Sequence, residues 1–457
     1  MYLNSSLKNY EIKYRKYKNK YQKIKSQLGG ECTPLPNPEE EEIVTLQNLL
    51  DLCPDERITI QNKCYEVNSL YKWIISENKQ ILPGTMTTIS HEEKQELIEL
   101  YEKFVPNILT RDILIQTYPN LQNEKRLNLY YRNYTGISLD TFATRGGDDN
   151  LQELKKIYLM HNKIKKIQPG IFYNNLQALK YLDLDNNKIK KLQSDTFNNL
   201  PSLRELILTN NQIEILEPDI FNNVPKLQYL KLNNNNISNL QLGVFNNLPK
   251  LEYLYLNNNQ INNLQFDIFN NLLTLISLDL SSNQLNCLRP ININQDVQQQ
   301  VLPSVFNNLP ALEHLNLSNN LLDNLQPNIF NNLLELRHLF LYNNNLSYLE
   351  PNIFNNLQKL QHLSLINNYI SDLQINLQQL KYLSLSNNEI YELEPGIFNN
   401  LPSLIQLYLN SNKITVFQPN IFDNLPMLQY LDLSNNQVKA IHPNQYYGLS
   451  SIVRINR

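Results

Sequence analysis

The amino-acid sequence predicts an α/β solenoid, a stack of short repeated units, over residues 151–457 of a 457-residue chain. A leucine pattern, LxxLxLxxNxI, recurs along this segment, as from Leu227 to Ile237 and again from Leu251 to Ile261. The usual step between copies is 24 residues, and twelve copies with such regular spacing indicate an internal repeat. The asparagine of the pattern (the marker asparagine) recurs at Asn162, Asn187, Asn211, Asn235, Asn259, Asn283, Asn320, Asn344, Asn368, Asn388, Asn412 and Asn436.

Each copy combines a short strand with a returning segment. The Leu-x-Leu motif matches the two-residue period of a β-strand, so both leucines face one side. One such strand cannot bury its apolar side alone, whereas stacked copies pair into a parallel sheet over a continuous core. The marker asparagines are expected to bond backbone groups of their own turn and of the adjacent copy. A phenylalanine of the returning segment is expected to form a core spine, at Phe172, Phe197, Phe221, Phe245, Phe269, Phe306, Phe330, Phe354, Phe398 and Phe422.

The pattern resembles the leucine-rich repeat family, in its 24-residue type with phenylalanine in the returning segment, over about two thirds of the chain. This resemblance implies a curved solenoid with its parallel sheet on the concave side, where family members commonly bind partner proteins. The sequence contains no motif of nucleotide-binding, zinc-protease, serine-hydrolase or kinase enzymes. We therefore expect a non-catalytic protein–protein interaction scaffold, with no catalytic or metal-binding residues, no cofactor and no small-molecule substrate.

The concave face would be lined by two positions per copy, the residue before Leu-x-Leu and the residue between its leucines. Tyrosine is common there and suits binding surfaces, because it offers a large ring and a hydroxyl. Copying of one ancestral repeat is the alternative explanation. The same explanation applies to the histidine row, which consists of His314, His338 and His362 at the same position of three successive copies. A zinc site is the less favoured explanation, because a straight row of histidines does not match the tetrahedral geometry of the ion. The candidate partner-binding residues are Tyr158, Tyr181, Ile207, Tyr229, Tyr253, Tyr255, His314, His338, Phe340, His362, Tyr382, Tyr408 and Tyr430.

The regular spacing is broken in two ways that bear on function. After the sixth copy the sequence carries thirteen extra residues, around Arg289–Val301, which predict either a solvent loop or a partner-specific loop. The last copy lacks the phenylalanine and is followed by a half-copy, Ile452–Ile455.

The first residues of the chain are predicted to form a basic helix followed by a linker. Residues 1–30 show heptad spacing of apolar and tyrosine side chains and hold eight basic residues against one acidic residue, a net charge of +7. A weak coiled coil or a docked helix is expected, and contact with nucleic acid or membrane is the less favoured alternative. Residues 10–30 resemble the leader of giant-virus (mimivirus-like) proteins, in which Gly29-Gly30 would be a protease signal. Residues 31–42 are an acidic, proline-rich linker.

Residues 43–118 are predicted to form a small α+β domain, with a hairpin that turns at Asn62-Lys63 and a helix that carries Trp73. This order of elements resembles a diverged U-box, a zinc-free relative of the RING fold, which implies recruitment of a ubiquitin-conjugating enzyme. A ubiquitin-ligase-like substrate adaptor is therefore one alternative function, and a structural virion component is another. Residues 119–150 are expected to be a degenerate N-terminal cap repeat, because an uncovered end would expose core and a strand edge.

Cysteine usage and hydropathy predict where the protein works. The four cysteines are scattered, with no CxxC motif. The N-terminus lacks the apolar stretch of a signal peptide, and no run approaches the ~18 apolar residues of a membrane span. These features predict an intracellular protein, in the host cytoplasm or the virion, that is neither secreted nor membrane-spanning.

Overall fold

A computed structural model of the chain describes residues 57–60, 63–66, 107–139, 141–142, 151–172, 176–288, 304–418, 420–438 and 454–456. The chain divides into two compact units, Met1–Asn107 and Ile108–Arg457. The predicted helix at 1–30, the linker at 31–42, the helix with Trp73 and the insertion at 289–301 lie outside the described residues.

The first unit contains an antiparallel hairpin of strands β1 (Arg57–Ile60) and β2 (Lys63–Glu66). A hairpin was expected in this segment, but the predicted position of its turn is wrong by one residue. Ile60 pairs with Lys63, so Lys63 already belongs to the second strand. Polarity alone suggested Asn62-Lys63 as the turn, whereas strand pairing decides the register.

The second unit consists of many short strands and little helix. Helix α1 begins after Thr110, whose hydroxyl oxygen accepts a hydrogen bond from the Ile113 N–H. In chain order the elements are β3 (Ile108–Leu109), α1 (Arg111–Thr117), β4 (Arg126–Asn128), β5 (Gly136–Ile137), β6 (Lys156–Tyr158), β7 (Tyr181–Asp183), β8 (Lys191–Leu192), β9 (Glu205–Ile207), β10 (Ile215–Leu216), β11 (Tyr229–Lys231), β12 (Asn239–Leu240), β13 (Tyr253–Tyr255), β14 (Ser277–Asp279), β15 (His314–Asn316), β16 (His338–Phe340), β17 (His362–Ser364), β18 (Tyr382–Ser384), β19 (Gln406–Tyr408), β20 (Tyr430–Asp432) and β21 (Arg454–Asn456).

Fourteen of these strands form one long parallel sheet, in the order β4, β6, β7, β9, β11 and then β13 to β21. Equivalent positions pair across copies, as Leu230 does with Leu206 on one side and Leu254 on the other. Strands β8, β10 and β12 form a second, smaller parallel sheet in the returning segments. The predicted parallel-sheet solenoid is therefore confirmed. Within the described residues, none of the helices has the length and apolar character needed to cross a bilayer.

The core spine of phenylalanines is confirmed. All ten predicted phenylalanines are buried, and so is Phe142 of the preceding segment. Neighbouring rings stack along the solenoid axis, with centroids 5.6 Å apart from Phe142 to Phe172 and 6.4 Å apart from Phe221 to Phe245. Ring contacts run from Phe142 to Phe306 and recur from Phe330 to Phe354 and from Phe398 to Phe422. Within each of these runs the spine couples neighbouring repeats.

The marker asparagines form the expected ladder. At Asn235, Oδ1 accepts a hydrogen bond from the Ile213 N–H at 3.0 Å, and Nδ2 donates to the carbonyls of Leu208 at 2.9 Å and Leu232 at 3.0 Å. The same pattern of partners recurs from Asn187 to Asn436. One side chain thereby satisfies backbone groups of its own copy and of the preceding one, which a buried amide requires.

The residue before each marker asparagine has a left-handed backbone. Its φ is 54° at Asn186, 52° at Asn210 and 57° at Asn234. Asparagine enters this region more readily than most residues with a side chain. Nine of the twelve turns therefore use two asparagines, one for the backbone angle and one for the buried amide, and the other three have His161, Ser282 or Ser411 at the first position.

The long sheet continues on both sides of the twelve recognised copies. Strand β4 pairs with β6, and β21 pairs with β20. Leu127 and Leu129 are fully buried beneath the first of these junctions. The apolar side of the first recognised copy is therefore covered by residues 107–142.

Candidate protein-binding surface

The outward side chains of the long sheet form a continuous surface, here named the sheet face, that comes from the first and third residues of its strands. The middle residue of each three-residue strand from β4 to β20, such as Leu254 or Leu339, points into the core and is buried. All thirteen candidate residues lie at sheet-face positions. Each is half-buried, because neighbouring side chains on the same face cover part of it. The two apolar members, Ile207 and Phe340, are half-buried as well.

Tyrosines on the N-terminal half of the sheet face pair locally. The rings of Tyr158 and Tyr181 are 5.1 Å apart, and those of Tyr229 and Tyr253 stack at 4.5 Å. The Tyr181 hydroxyl donates a hydrogen bond to Asp183 Oδ2 at 3.0 Å. Charged side chains separate these pairs, since Asp183 follows the first pair and Glu205 lies on the next strand. This half of the surface therefore alternates rings with charges.

The C-terminal half carries an uninterrupted group of rings, the aromatic cluster. His314 and His338 stack at 4.5 Å, and His362 and Tyr382 stack at 4.0 Å. The ring of Phe340, the third residue of β16, lies 5.0 Å from the ring of His362, the first residue of β17. The cluster consists of His314, His338, Phe340, His362, Tyr382, Tyr408 and Tyr430.

The aromatic cluster is uncharged at neutral pH. Burial, together with repulsion from a protonated His338, lowers the pKa of His362 to about 4. Burial also lowers the pKa of His338 and of His314. Desolvation raises the pKa of Tyr382, so its hydroxyl keeps its proton. The surface therefore offers rings and hydroxyls without net charge, and an apolar partner surface can meet it without desolvating a charge.

The histidine row has the geometry of a ring stack. The planes of His314 and His338 differ by 13°. Rings stacked face to face direct their nitrogens sideways, so they do not converge on one tetrahedral ion. Across the described ranges, no group of three or more histidine, cysteine, aspartate or glutamate side chains is arranged to hold a metal ion.

The neutral His362 makes stability depend on pH. Its folded pKa of about 4 is below the ordinary histidine pKa of 6.5, so the unfolded chain takes up the proton first. Stability from this group is present above pH 6.5 and is lost as pH falls towards 4. In urea titrations at pH 7.5, 6 and 5, His362→Gln is therefore expected to lose less stability on acidification than the wild type does. His161→Gln, outside the cluster, is the control, and equal pH dependence of wild type and His362→Gln would contradict the prediction.

Sequence reasoning missed residues that shape this surface from just beyond the strands. Tyr342 contacts Phe340 edge to face at 6.5 Å and extends the aromatic cluster. Ser318 Oγ donates a hydrogen bond to Asn316 Oδ1 at 2.7 Å, which fixes an outward amide beside His314. Both residues stand one position after the second leucine of Leu-x-Leu. The signal in the sequence was the recurrence of serine there, at Ser281, Ser318, Ser386 and Ser434.

Solved structures share the fold of this chain. One chain of the Toll–Spatzle complex of Drosophila is 21% identical over 66% of this chain and 39% of that chain, with a TM-score of 0.56. A chain of the LRIM1/APL1C complex is 24% identical over 72% of this chain and 55% of that chain, with a TM-score of 0.55. An internalin of Listeria monocytogenes is 26% identical over 67% of this chain and 87% of that chain, with a TM-score of 0.49. This chain spans about half or less of the first two chains.

Family models match the repeats directly. The leucine rich repeat model matches residues 152–213, 201–261, 378–438 and 407–456. The model of the BspA type leucine rich repeat region, with 6 copies, matches residues 283–386. No curated protein matches the chain. The two models together cover more than half of the sequence, on the same copies that form the long sheet, and the chain is therefore a leucine-rich repeat protein.

Proposed function

We propose that this protein is a non-catalytic scaffold that binds a partner protein through its sheet face, and that the aromatic cluster is the centre of the binding site. The observation that carries the proposal is the unbroken contact of seven uncharged rings across strands β15 to β20. Aromatic side chains dominate the energetics of protein interfaces, because they bury a large area and lose little side-chain entropy.

The backbone arrangement supports the same proposal. In-register pairing holds outward side chains of adjacent strands about 4.8 Å apart. Each ring of the aromatic cluster is supported by its neighbours, so little freedom remains to be lost on binding. A pre-arranged surface of this kind suits a partner of domain size. Two of the solved structures of similar fold are chains of the Toll–Spatzle and LRIM1/APL1C complexes, in which they occur with other proteins.

We infer that the partner is met in a reducing, intracellular compartment. Cys287 lies in the repeat array, is half-buried and has a free thiol. The alternative functions, a ubiquitin-ligase-like adaptor and a virion component, depend on residues 1–118, of which the structure describes a hairpin and a short segment from residue 107. No observation on those residues favours either alternative over the scaffold.

A double substitution tests the binding site. Tagged full-length protein is used to isolate partners from the native cell, and the affinity of the recovered partner is then measured for wild type and variants. Phe340→Ala/Tyr408→Ala is expected to weaken binding at least about tenfold, because it removes two supported rings of the aromatic cluster.

The matched control for this experiment is Tyr369→Ala/Tyr391→Ala. Those two tyrosines are 56% and 60% exposed, and they lie in the two copies between Phe340 and Tyr408 but outside the sheet strands. The control variant is expected to bind as the wild type does. A partner retained by the cluster variant, or lost equally by the control, would exclude the sheet face as the binding site.

A further inference from the structure

The first two copies of the repeat carry a concentrated positive charge. Residues 151–192 hold nine lysines against three acidic residues, a net charge of +6, whereas the whole chain has a net charge of −3. The remaining residues together are therefore net negative, so the net charge of the whole chain does not reveal this positive region. At physiological salt, charges more than about 8 Å apart are largely screened, so a ligand at this surface meets the local lysines.

Six of these lysines form an ordered group, the lysine patch, on the segments that follow two successive marker asparagines. The Lys188 N–H donates to the Ile164 carbonyl at 2.9 Å, and Lys166 forms a parallel bridge with Lys191. The two segments are therefore in register, with equivalent lysines about 4.8 Å apart at the backbone. All members of the patch are exposed; they are Lys163, Lys165, Lys166, Lys188, Lys190 and Lys191.

The lysine patch is almost free of internal charge compensation. Lys191 Nζ lies 2.8 Å from Glu217 Oε1, and within the described residues the other five members of the patch have no ion-pair partner. Later copies differ, because Lys359 pairs with Glu335 and Lys413 pairs with Glu389 of the preceding copy. Like charges held side by side repel each other unless an anion offsets them. The lysine charge of the first two copies is thus mostly unpaired, whereas Lys359 and Lys413 of the later copies are paired with glutamates.

Exposed rings lie beside the lysine patch. Tyr131 is 66% exposed and Tyr130 is 42% exposed. The Tyr131 ring stacks on His161 at 4.4 Å with the planes 4° apart, and the Tyr130 ring contacts it edge to face at 5.9 Å. His161 stands two residues before Lys163, whose N–H donates to the Tyr134 carbonyl at 2.8 Å. The rings and the first lysines therefore border the same two turns of the solenoid.

We propose that the lysine patch and the Tyr131–His161 ring pair bind single-stranded nucleic acid. Phosphates would meet the lysines, and an unpaired base would stack on the exposed tyrosine rings beside them. A duplex keeps its bases inside and cannot use the rings, and an anionic membrane surface would use the charge alone. The combination of rings with lysines therefore favours a single strand. This activity is separate from partner binding by the aromatic cluster.

Fluorescence anisotropy of the full chain with a labelled 20-nucleotide mixed-sequence RNA, at several salt concentrations, tests the proposal. The variant Lys163→Gln/Lys165→Gln/Lys188→Gln/Lys190→Gln is expected to bind at least about tenfold more weakly at low salt. The slope of log affinity against log salt should fall by about 3, since each phosphate contact contributes ~0.7. The matched control is Lys226→Gln/Lys250→Gln/Lys359→Gln/Lys413→Gln, which removes the same charge elsewhere and should bind within about threefold of wild type.

Tyr131→Asn tests the rings without disturbing the backbone. Tyr131 has a φ of 54°, and asparagine occupies the equivalent position in other copies, at Asn186 and Asn210. The variant should fold normally and bind the single strand at least about fivefold more weakly, while its weaker binding of the matching duplex stays unchanged. Three results would overturn the proposal: no RNA binding by the wild type, equal loss in the lysine control, or lysine-dependent binding to phosphatidylserine vesicles but not to RNA.

Discussion

Replacing Asn259 with alanine is expected to lower the free energy of unfolding by roughly 3–5 kcal/mol, because several buried backbone groups lose their partner at once. Asn259 Oδ1 accepts from the Ile237 N–H at 3.0 Å. Its Nδ2 donates to the carbonyls of Leu232 and Leu256, each at 3.0 Å. The side chain is 8% exposed, so water cannot take over these bonds without opening the turn. Each buried group left unsatisfied costs about 1–3 kcal/mol.

The matched control is Asn247→Ala. Asn247 lies in the returning segment of a copy, outside the ladder of marker asparagines. Asn247 Nδ2 also bonds the adjacent copy, with Asn222 Oδ1 at 2.8 Å, but this bond is exposed, with Asn247 exposed and Asn222 half-buried. Water replaces that bond, and the expected loss is within about 0.5 kcal/mol. Urea titration followed by circular dichroism measures both variants. Losses that agree within this margin would show that burial of the ladder contributes little to stability.

The repeat itself could be predicted because its leucines, phenylalanines and marker asparagines recur at fixed positions. The outward positions named from the sequence coincide with the ends of the observed strands, as at Tyr229 and Lys231 of β11. Side-chain direction in a strand follows from its two-residue period. Ring contacts such as His362 on Tyr382 required one further fact, the in-register pairing of neighbouring copies.

Other features were hidden in the sequence for identifiable physical reasons. In nine of the twelve copies the residue before the marker is also asparagine, and the repeat spacing alone does not show that it holds a φ near 54°, as at Asn258. The lysines of the first two copies were averaged into a net charge of −3. Their grouping is visible only when Lys166 is placed beside Lys191 by the fold. The spacing of residues in the sequence thus predicts the features that recur in every copy. A surface formed by side chains of two different copies becomes visible only in the structure.

Replacing Phe245 with alanine is expected to lower the free energy of unfolding by about 3–5 kcal/mol. It should also weaken the folding cooperativity between the two halves of the solenoid. Phe245 is 1% exposed and lies between two rings, 6.4 Å from Phe221 and 6.1 Å from Phe269. Its removal leaves a cavity and also breaks the stacking of both neighbours. Each copy is stabilised chiefly by its neighbours, so a defect at one junction lowers the coupling across it.

Phe245→Leu separates the two contributions of the ring. Leucine keeps most of the buried volume and is expected to cost less than about 1.5 kcal/mol. The copy between Asn368 and Asn388 supports this expectation, because it has no phenylalanine in its returning segment and buries Ile375 and Leu377 there. Hydrogen exchange should show the largest loss of protection for Phe245→Ala around residues 221–269, together with a broadened urea transition. A sharp single transition with uniform loss of protection would mean that the spine does not transmit cooperativity between copies.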